Sequence, residues 1–353
     1  MAKSYPSKYT SSGIWKVTDV AKNLLTEGTW PSGSVPGTRA VFGGGATPGY
    51  SDIIDYATIS TAGNAVDFGD LTVARYGLNK GASSFTRGVF TAGEKASPYN
   101  TNVLDYITIP STGNAADFGD LTSAANALTS MTSNGTRGLN MGGNAHPVRL
   151  NVISYITIAS IGDAIDFGDL SATRKMVQPL SNSTRALAGG GAEPGFVNTI
   201  EFVQINSLGN AVDFGNMTAT TSRNAASLND STRGIWAGGS PTDSNSAQVN
   251  TIEYVNIAAL GNGIDFGDLV ADKYRVGGGT SSSTRGVIAG GMGPGDDTAM
   301  NSMDYITITQ SGNATDFGDL SAARGDVGAV SDGHGGLEAF DPSIRFAPTP
   351  GVW

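Results

Sequence analysis

The tripeptide Asp-Phe-Gly begins at Asp67, Asp117, Asp166, Asp213, Asp265 and Asp316, each time inside a near copy of the stretch GNAVDFGDLT. Successive copies are 50, 49, 47, 52 and 51 residues apart. A second marker keeps the same count, since the Thr-Arg pairs that open a short apolar run end at Arg39, Arg87, Arg137, Arg185, Arg233 and Arg285. Two independent markers with one period define six units, and a repeat of about 50 residues is the size used by propeller blades and solenoid units. One Asp-Phe-Gly is the magnesium-binding turn of a protein kinase, but no enzyme needs six. Kinase chemistry also requires a Gly-rich phosphate loop, a strand lysine and a His-Arg-Asp loop, and the only histidines are His146 and His334.

Each unit reads as four strands. After the Thr-Arg comes a short apolar run into paired glycines, as in TRAVFGGG (38 to 45). A variable loop follows, then an alternating segment such as IIDYATI (53 to 59), whose β-branched and aromatic residues at period two mark a strand. DFGDLT supplies the third strand, and a Ser/Thr-rich stretch such as RYGLNKGASS (75 to 84) a weaker fourth. Such a sheet cannot bury both its apolar faces alone, and ranging six around an axis leaves only short protected edges. The sequence therefore predicts an all-β, six-bladed β-propeller over residues 35–331, between an N-terminal arm (1–34) and an extended Pro-rich tail (332–353). The weak strand recurs after the sixth Asp-Phe-Gly, around 326–331, and is expected to complete the first blade and close the ring.

Composition agrees with many short strands and tight turns: 50 glycines and only 15% charged residues, against a usual charged share of about 25%. A net charge of -10 argues against a general phosphate-binding surface, and so against nucleic acid as a partner. Four lysines, Lys3, Lys8, Lys16 and Lys22, leave the N-terminal arm slightly positive. There is no cysteine to form a disulfide or a thiolate metal site. No apolar run reaches the roughly 18 residues of a membrane span, and the N-terminus lacks the apolar stretch of a signal peptide.

The hydrophobic run ending in Gly-Gly, the downstream Asp-Tyr strand and the later aromatic strand followed by Leu resemble kelch repeats, with Phe68 and its equivalents where kelch blades usually carry Trp. That resemblance implies the propeller more firmly than any activity, because a fold hosts many functions. In addition, SGIWKVTDVAKNLLTEGTWPS (12 to 32), followed by TRAVFGGG and the NAxDFGDLT units, is similar to structural proteins of tailed bacteriophages, particularly marine ones. The resemblance implies a virion protein without enzymatic activity or cofactor, in a tail fibre or appendage. Its implied partners are other virion proteins, held through the terminal segments, and a host-surface glycan or protein. Several copies per particle, or a homo-oligomer, are expected. Capsid decoration is the alternative within that class, and a polysaccharide-cleaving enzyme the alternative outside it, since paired carboxylates suffice for glycosidic cleavage.

Within the repeat, Phe68, Phe118, Phe167, Phe214, Phe266 and Phe317 are expected between blades, and the glycine after each in an unusual backbone conformation. The carboxylates beside them are expected to accept hydrogen bonds from turn amides or from the Thr-Arg guanidiniums. An arginine ring around the central channel and calcium held by the carboxylates are the functional alternatives. Tyr56, Tyr106, Tyr155, Phe202, Tyr254 and Tyr305 read as core rather than as a sugar-stacking platform. Variation concentrates between the Gly-Gly and the alternating strand, in six loops expected on one rim. Their candidate contact residues are Tyr50, Tyr99, His146, Arg149 and Phe196. The terminal segments offer candidate attachment residues: Trp15, Leu24, Leu25 and Trp30 on and beside a short amphipathic helix, and Phe346 and Trp353 in the tail.

Overall fold

The computed structural model describes residues 39–333 except 98, 126–128, 146, 220–224, 243–246 and 295–297. The chain divides into two units, Met1–Pro36 and Gly37–Trp353. The first, with its candidate attachment residues Trp15, Leu24, Leu25 and Trp30, lies outside the described residues, as do His146 and the tail with Phe346 and Trp353.

Six antiparallel four-stranded sheets stand in a ring, a six-bladed β-propeller, and no helix occurs among the described residues. From the axis outward, blade one runs Gly328–Ser331, Arg39–Gly43, Ile53–Thr58 and Val66–Asp70. Blade two runs Ala82–Ser83, Arg87–Phe90, Thr101–Thr108 and Ala116–Ala125. Blade three consists of Met131–Ser133, Arg137–Ala145, Val148–Thr157 and Ile165–Asp169. Blade four comprises Gln178–Ser181, Arg185–Gly189, Thr199–Gln204 and Val212–Asn216. Blade five is Ala226–Asn229, Arg233–Ala237, Thr251–Asn256 and Ile264–Asp268, and blade six Gly278–Ser281, Arg285–Ala289, Ser302–Thr307 and Thr315–Asp319.

The Ser/Thr-rich stretch thus becomes the innermost strand of the blade after the one it follows in sequence. The last copy has no blade after it, and Gly328–Ser331 pairs back onto Arg39–Gly43, Ala40 opposite Ser331 and Gly43 opposite Gly328. Sheet hydrogen bonds between two distant parts of the chain close the ring, as the recurrence of the weak strand predicts.

Asp-Phe-Gly sits on the outermost strand, where a β-bulge gives Phe68 no partner: Asp67 pairs with Asp55 and Gly69 with Ile54. The extra residue turns the ring of Phe68 inward, while Val66 and Asp67 stay exposed. Phe68 then packs with Phe90, Ile107 and Ile109 of blade two, and Phe317 with Phe42 and Ile59 of blade one. Burying each such ring contributes about 2 kcal/mol.

Outer strands are covered by the following blade. The loop before each outermost strand donates two backbone hydrogen bonds to the preceding blade, as in Gly63 N–H to Phe317 O at 2.7 Å and Ala65 N–H to Asp319 O at 2.8 Å. A side chain of the same loop accepts in return: Asn64 Oδ1 takes the Asp319 amide at 3.1 Å. Asn114, Asp163, Asn210, Asn262 and Asn313 do the same around the ring. So close an approach of two backbones leaves no room for a side chain. Gly318 has φ +140°, and a Cβ there would meet Gly63 O at 2.6 Å, whereas a Cβ on Gly63 meets nothing within 4 Å. Gly318→Ala should therefore lower stability by about 3 kcal/mol and Gly63→Ala by less than about 1 kcal/mol, measured by urea unfolding; equal losses would refute the close-approach explanation.

Candidate functional site

The loops between second and third strands and the connectors between blades lie at one end of the ring, because they are hydrogen-bonded to each other. Gly45 N–H donates to Arg75 O at 2.9 Å, Gly143 to Arg174 O at 2.9 Å, and Gly291 to Arg324 O at 2.9 Å. The paired glycines make this turn possible: Gly44 and Gly45 have φ of +66° and +114°. All six variable loops consequently share one rim.

Under that rim, buried ion pairs fix four of the connectors to the next blade among the described residues. Arg75 meets Asp105 at 2.9 Å, Lys273 meets Asp304 at 3.0 Å and Arg324 meets Asp55 at 2.5 Å; Arg174 pairs with Glu201. Arg324 also donates to Gly44 O at 2.8 Å and Ile53 O at 2.7 Å, and Ser321 Oγ donates to Asp55 Oδ1 at 2.7 Å. Burial lowers the pKa of Arg75 and of Arg324, and the facing carboxylates oppose the shift. The sequence carries a signal for these pairs. Each base stands five residues after the second carboxylate of DFGD (Arg75, Arg174, Lys273, Arg324), and each acid stands just before the third-strand aromatic. Blade three has Ser154 at the acid position, and the connector leading to it has Ala125 at the base position.

These pairs replace the expected partnership between the Thr-Arg guanidiniums and the DFGD acids. Arg39, Arg87, Arg137, Arg185, Arg233 and Arg285 each lie over the third-strand aromatic of their own blade, 4.3 Å from the ring centroid for Arg137 and 4.8 Å for Arg39. Each also donates to a carbonyl of the next blade, Arg39 Nη1 to Ile109 O at 2.7 Å and Arg285 Nη1 to Ile59 O at 3.0 Å. A guanidinium stacks on an aromatic face and still donates in its own plane, so one side chain staples two blades. The arginines therefore do not ring the axis, whose walls are the innermost strands. Asp67, Asp117, Asp166, Asp213, Asp265 and Asp316 are exposed in every blade; the backbone amide of the second acid, not its carboxylate, makes the interblade bond. Tyr56, Phe202 and their equivalents are half-buried, edge-on to the Asp-Phe-Gly ring at 5.8 Å for Tyr56 with Phe68, which gives them a packing role. Among the described residues no three His, Cys, Asp or Glu side chains gather as a metal-binding group.

What departs from the repeat gathers on the variable rim where blades one, two and six meet. Tyr50 stacks on Tyr76 with ring centroids 5.5 Å apart and donates from its hydroxyl to Glu94 Oε1 at 3.3 Å. Tyr76 also bonds to Glu94, and its hydroxyl pKa is raised, first by burial. Arg275 lies 5.3 Å from the centre of the Tyr76 ring and donates from Nε to Asp326 Oδ2 at 2.5 Å; that carboxylate raises the arginine's pKa. Arg275 and Asp326 hold left-handed backbone conformations with φ of +49° and +52°. Aromatic faces beside an acid and a base suit a polar ligand with apolar patches, such as a sugar or a peptide. Of the sequence-selected residues only Tyr50 belongs to this group. Tyr99 is 60% exposed and Val148 59% exposed, and Arg149 and Phe196, both half-buried, sit on separate hairpins of blades three and four. Tyr76, Glu94, Arg275 and Asp326 gave no sequence signal, since only the ring brings residues so distant in the chain together.

In comparisons with known proteins, the chain matches no family model and no curated protein.

Arg324→Met should cost about 3 to 5 kcal/mol by leaving Asp55 buried without its counter-charge, and a second change, Asp55→Leu, should recover part of that loss. Chemical denaturation of both variants checks this, and a single-variant loss below about 1 kcal/mol would contradict the buried-pair assignment.

Proposed function

We propose that this protein is a non-enzymatic structural component of a tailed-phage virion. It would be carried on the tail as a fibre or appendage and use its variable rim to bind a glycan or protein on the host surface. One observation supports a recognition role above the others: recurring residues build the ring, whereas non-recurring aromatic and charged side chains collect on one rim. Loops on a rigid scaffold lose little conformational entropy when they bind, which suits them to recognition. The virion assignment rests on the resemblance of residues 12–32 and of the NAxDFGDLT units to phage structural proteins, with kelch-like repeats as the scaffold. The terminal segments would hold the protein to the particle.

Two measurements test this reading. Antibodies to the propeller should label the distal tail of purified particles in electron micrographs; labelled heads would move the protein to capsid decoration. The double variant Tyr99→Ala/Arg149→Ala, whose melting temperature should stay within about 2 °C of wild type, should bind host cells at least tenfold less, the effect of losing about 1.4 kcal/mol of contact energy. Undiminished binding would count against these loops as the contact surface.

A further inference from the structure

The innermost strands enclose an axial cavity whose empty volume, counted to its open mouth, is about 250 Å³. Its interior has room for about one water-sized occupant. Lys80 enters it from the connector before the innermost strand of blade two and reaches across to blade five, where Nζ donates to Asn229 Oδ1 at 2.6 Å. Lys80 is only 7% exposed. Ser83, Thr132, Ser133, Thr280 and Ser281 line the same space, the hydroxyls of Thr132, Ser133 and Ser281 being bonded to the inner strands themselves. Serines tie the inner strands to one another, Ser133 Oγ donating to Ser83 O at 3.0 Å and Ser331 Oγ to Ser281 O at 2.8 Å.

An ammonium has three donors and carries a full charge. Asn229 supplies a neutral acceptor and no counter-charge, and the six innermost strands contain no acid. Beyond them, Asp230 accepts from the amides of Thr232 and Arg233, and Asp332 from the amide of Arg39. At the variable rim Asp326 is bound to Arg275. A buried cation either finds a counterion, gives up its proton or takes up an anion; among the described residues no acid pairs with Lys80, and burial lowers its pKa to about 7.

We propose that the axial cavity is a binding site for one small monovalent anion of halide size, held by the Lys80 ammonium with Ser83 and Thr280 in the lining beside it. The cavity size excludes sulfate, phosphate and organic acids. Chloride, the abundant anion of this size, would complete the centre of the ring by supplying the charge that the inner strands lack.

The test uses the full chain at pH 7 and constant ionic strength, with sodium chloride replacing sodium gluconate, whose anion is too large to enter. Chloride should raise the melting temperature saturably, by about 2 °C or more, and crystals soaked in bromide should show an anomalous peak on the axis beside Lys80. Lys80→Met and Lys80→Gln should abolish both effects. The proposal is overturned if wild type does not respond to chloride, if the variants respond equally, or if no bromide appears on the axis. Should neither variant fold, the bromide soak of wild type decides.

Discussion

The propeller depends on the contact between the outer strand of one blade and the Gly-Asn loop of the next. Two backbone hydrogen bonds and one side-chain acceptor join each pair of neighbours, and the Asp-Phe-Gly glycine permits the approach. An outer strand left open would expose a row of unpaired amides and carbonyls. Here the following blade takes up part of that row and covers the adjacent phenylalanine in the same contact. The ring gains stability and loses much of its exposed edge through one interaction repeated six times.

Two further layers of contact act inside that clasp. Guanidiniums stacked on the third-strand aromatics reach carbonyls of the next blade, and buried ion pairs hold the connectors beneath the variable rim. The buried pairs are the more demanding arrangement, because removing one partner leaves a charge in a poorly solvated place. Blade three, with Ser154 and Ala125 at the two positions, lacks both charges together, whereas blade five keeps the buried Glu253, which accepts the Thr218 amide at 2.6 Å and whose pKa burial raises. The rim loops rest on a base fixed in this way, so their side chains can differ from blade to blade.

Much of this was legible from residue order. The period, the four strands per unit and the closing strand were readable because local alternation and turn chemistry recur six times, so that a weak signal in one unit is strengthened by the others. The placement of Phe68 between blades was also readable, since an apolar residue fixed in an otherwise polar turn must be buried somewhere. The partner of each arginine was not. Arg39 has carboxylates and a ring within its own unit, and choosing between them requires the bulge and the interblade distance. Nor were Tyr76, Glu94, Arg275 and Asp326 recognisable as a group, as Glu94, Arg275 and Asp326 each occur once at their repeat positions and Tyr76 and Arg275 are 199 positions apart.

By itself the sequence determined the repeat, its count and the blade as the unit of structure, because those follow from short-range periodicity and from the need of each small sheet to be covered. Only the tertiary structure decided which charges meet and which residues face the axis. It also decided which non-recurring side chains share a rim, because those relations depend on ring closure, which places Lys80 opposite Asn229 and joins residue 331 to residue 40.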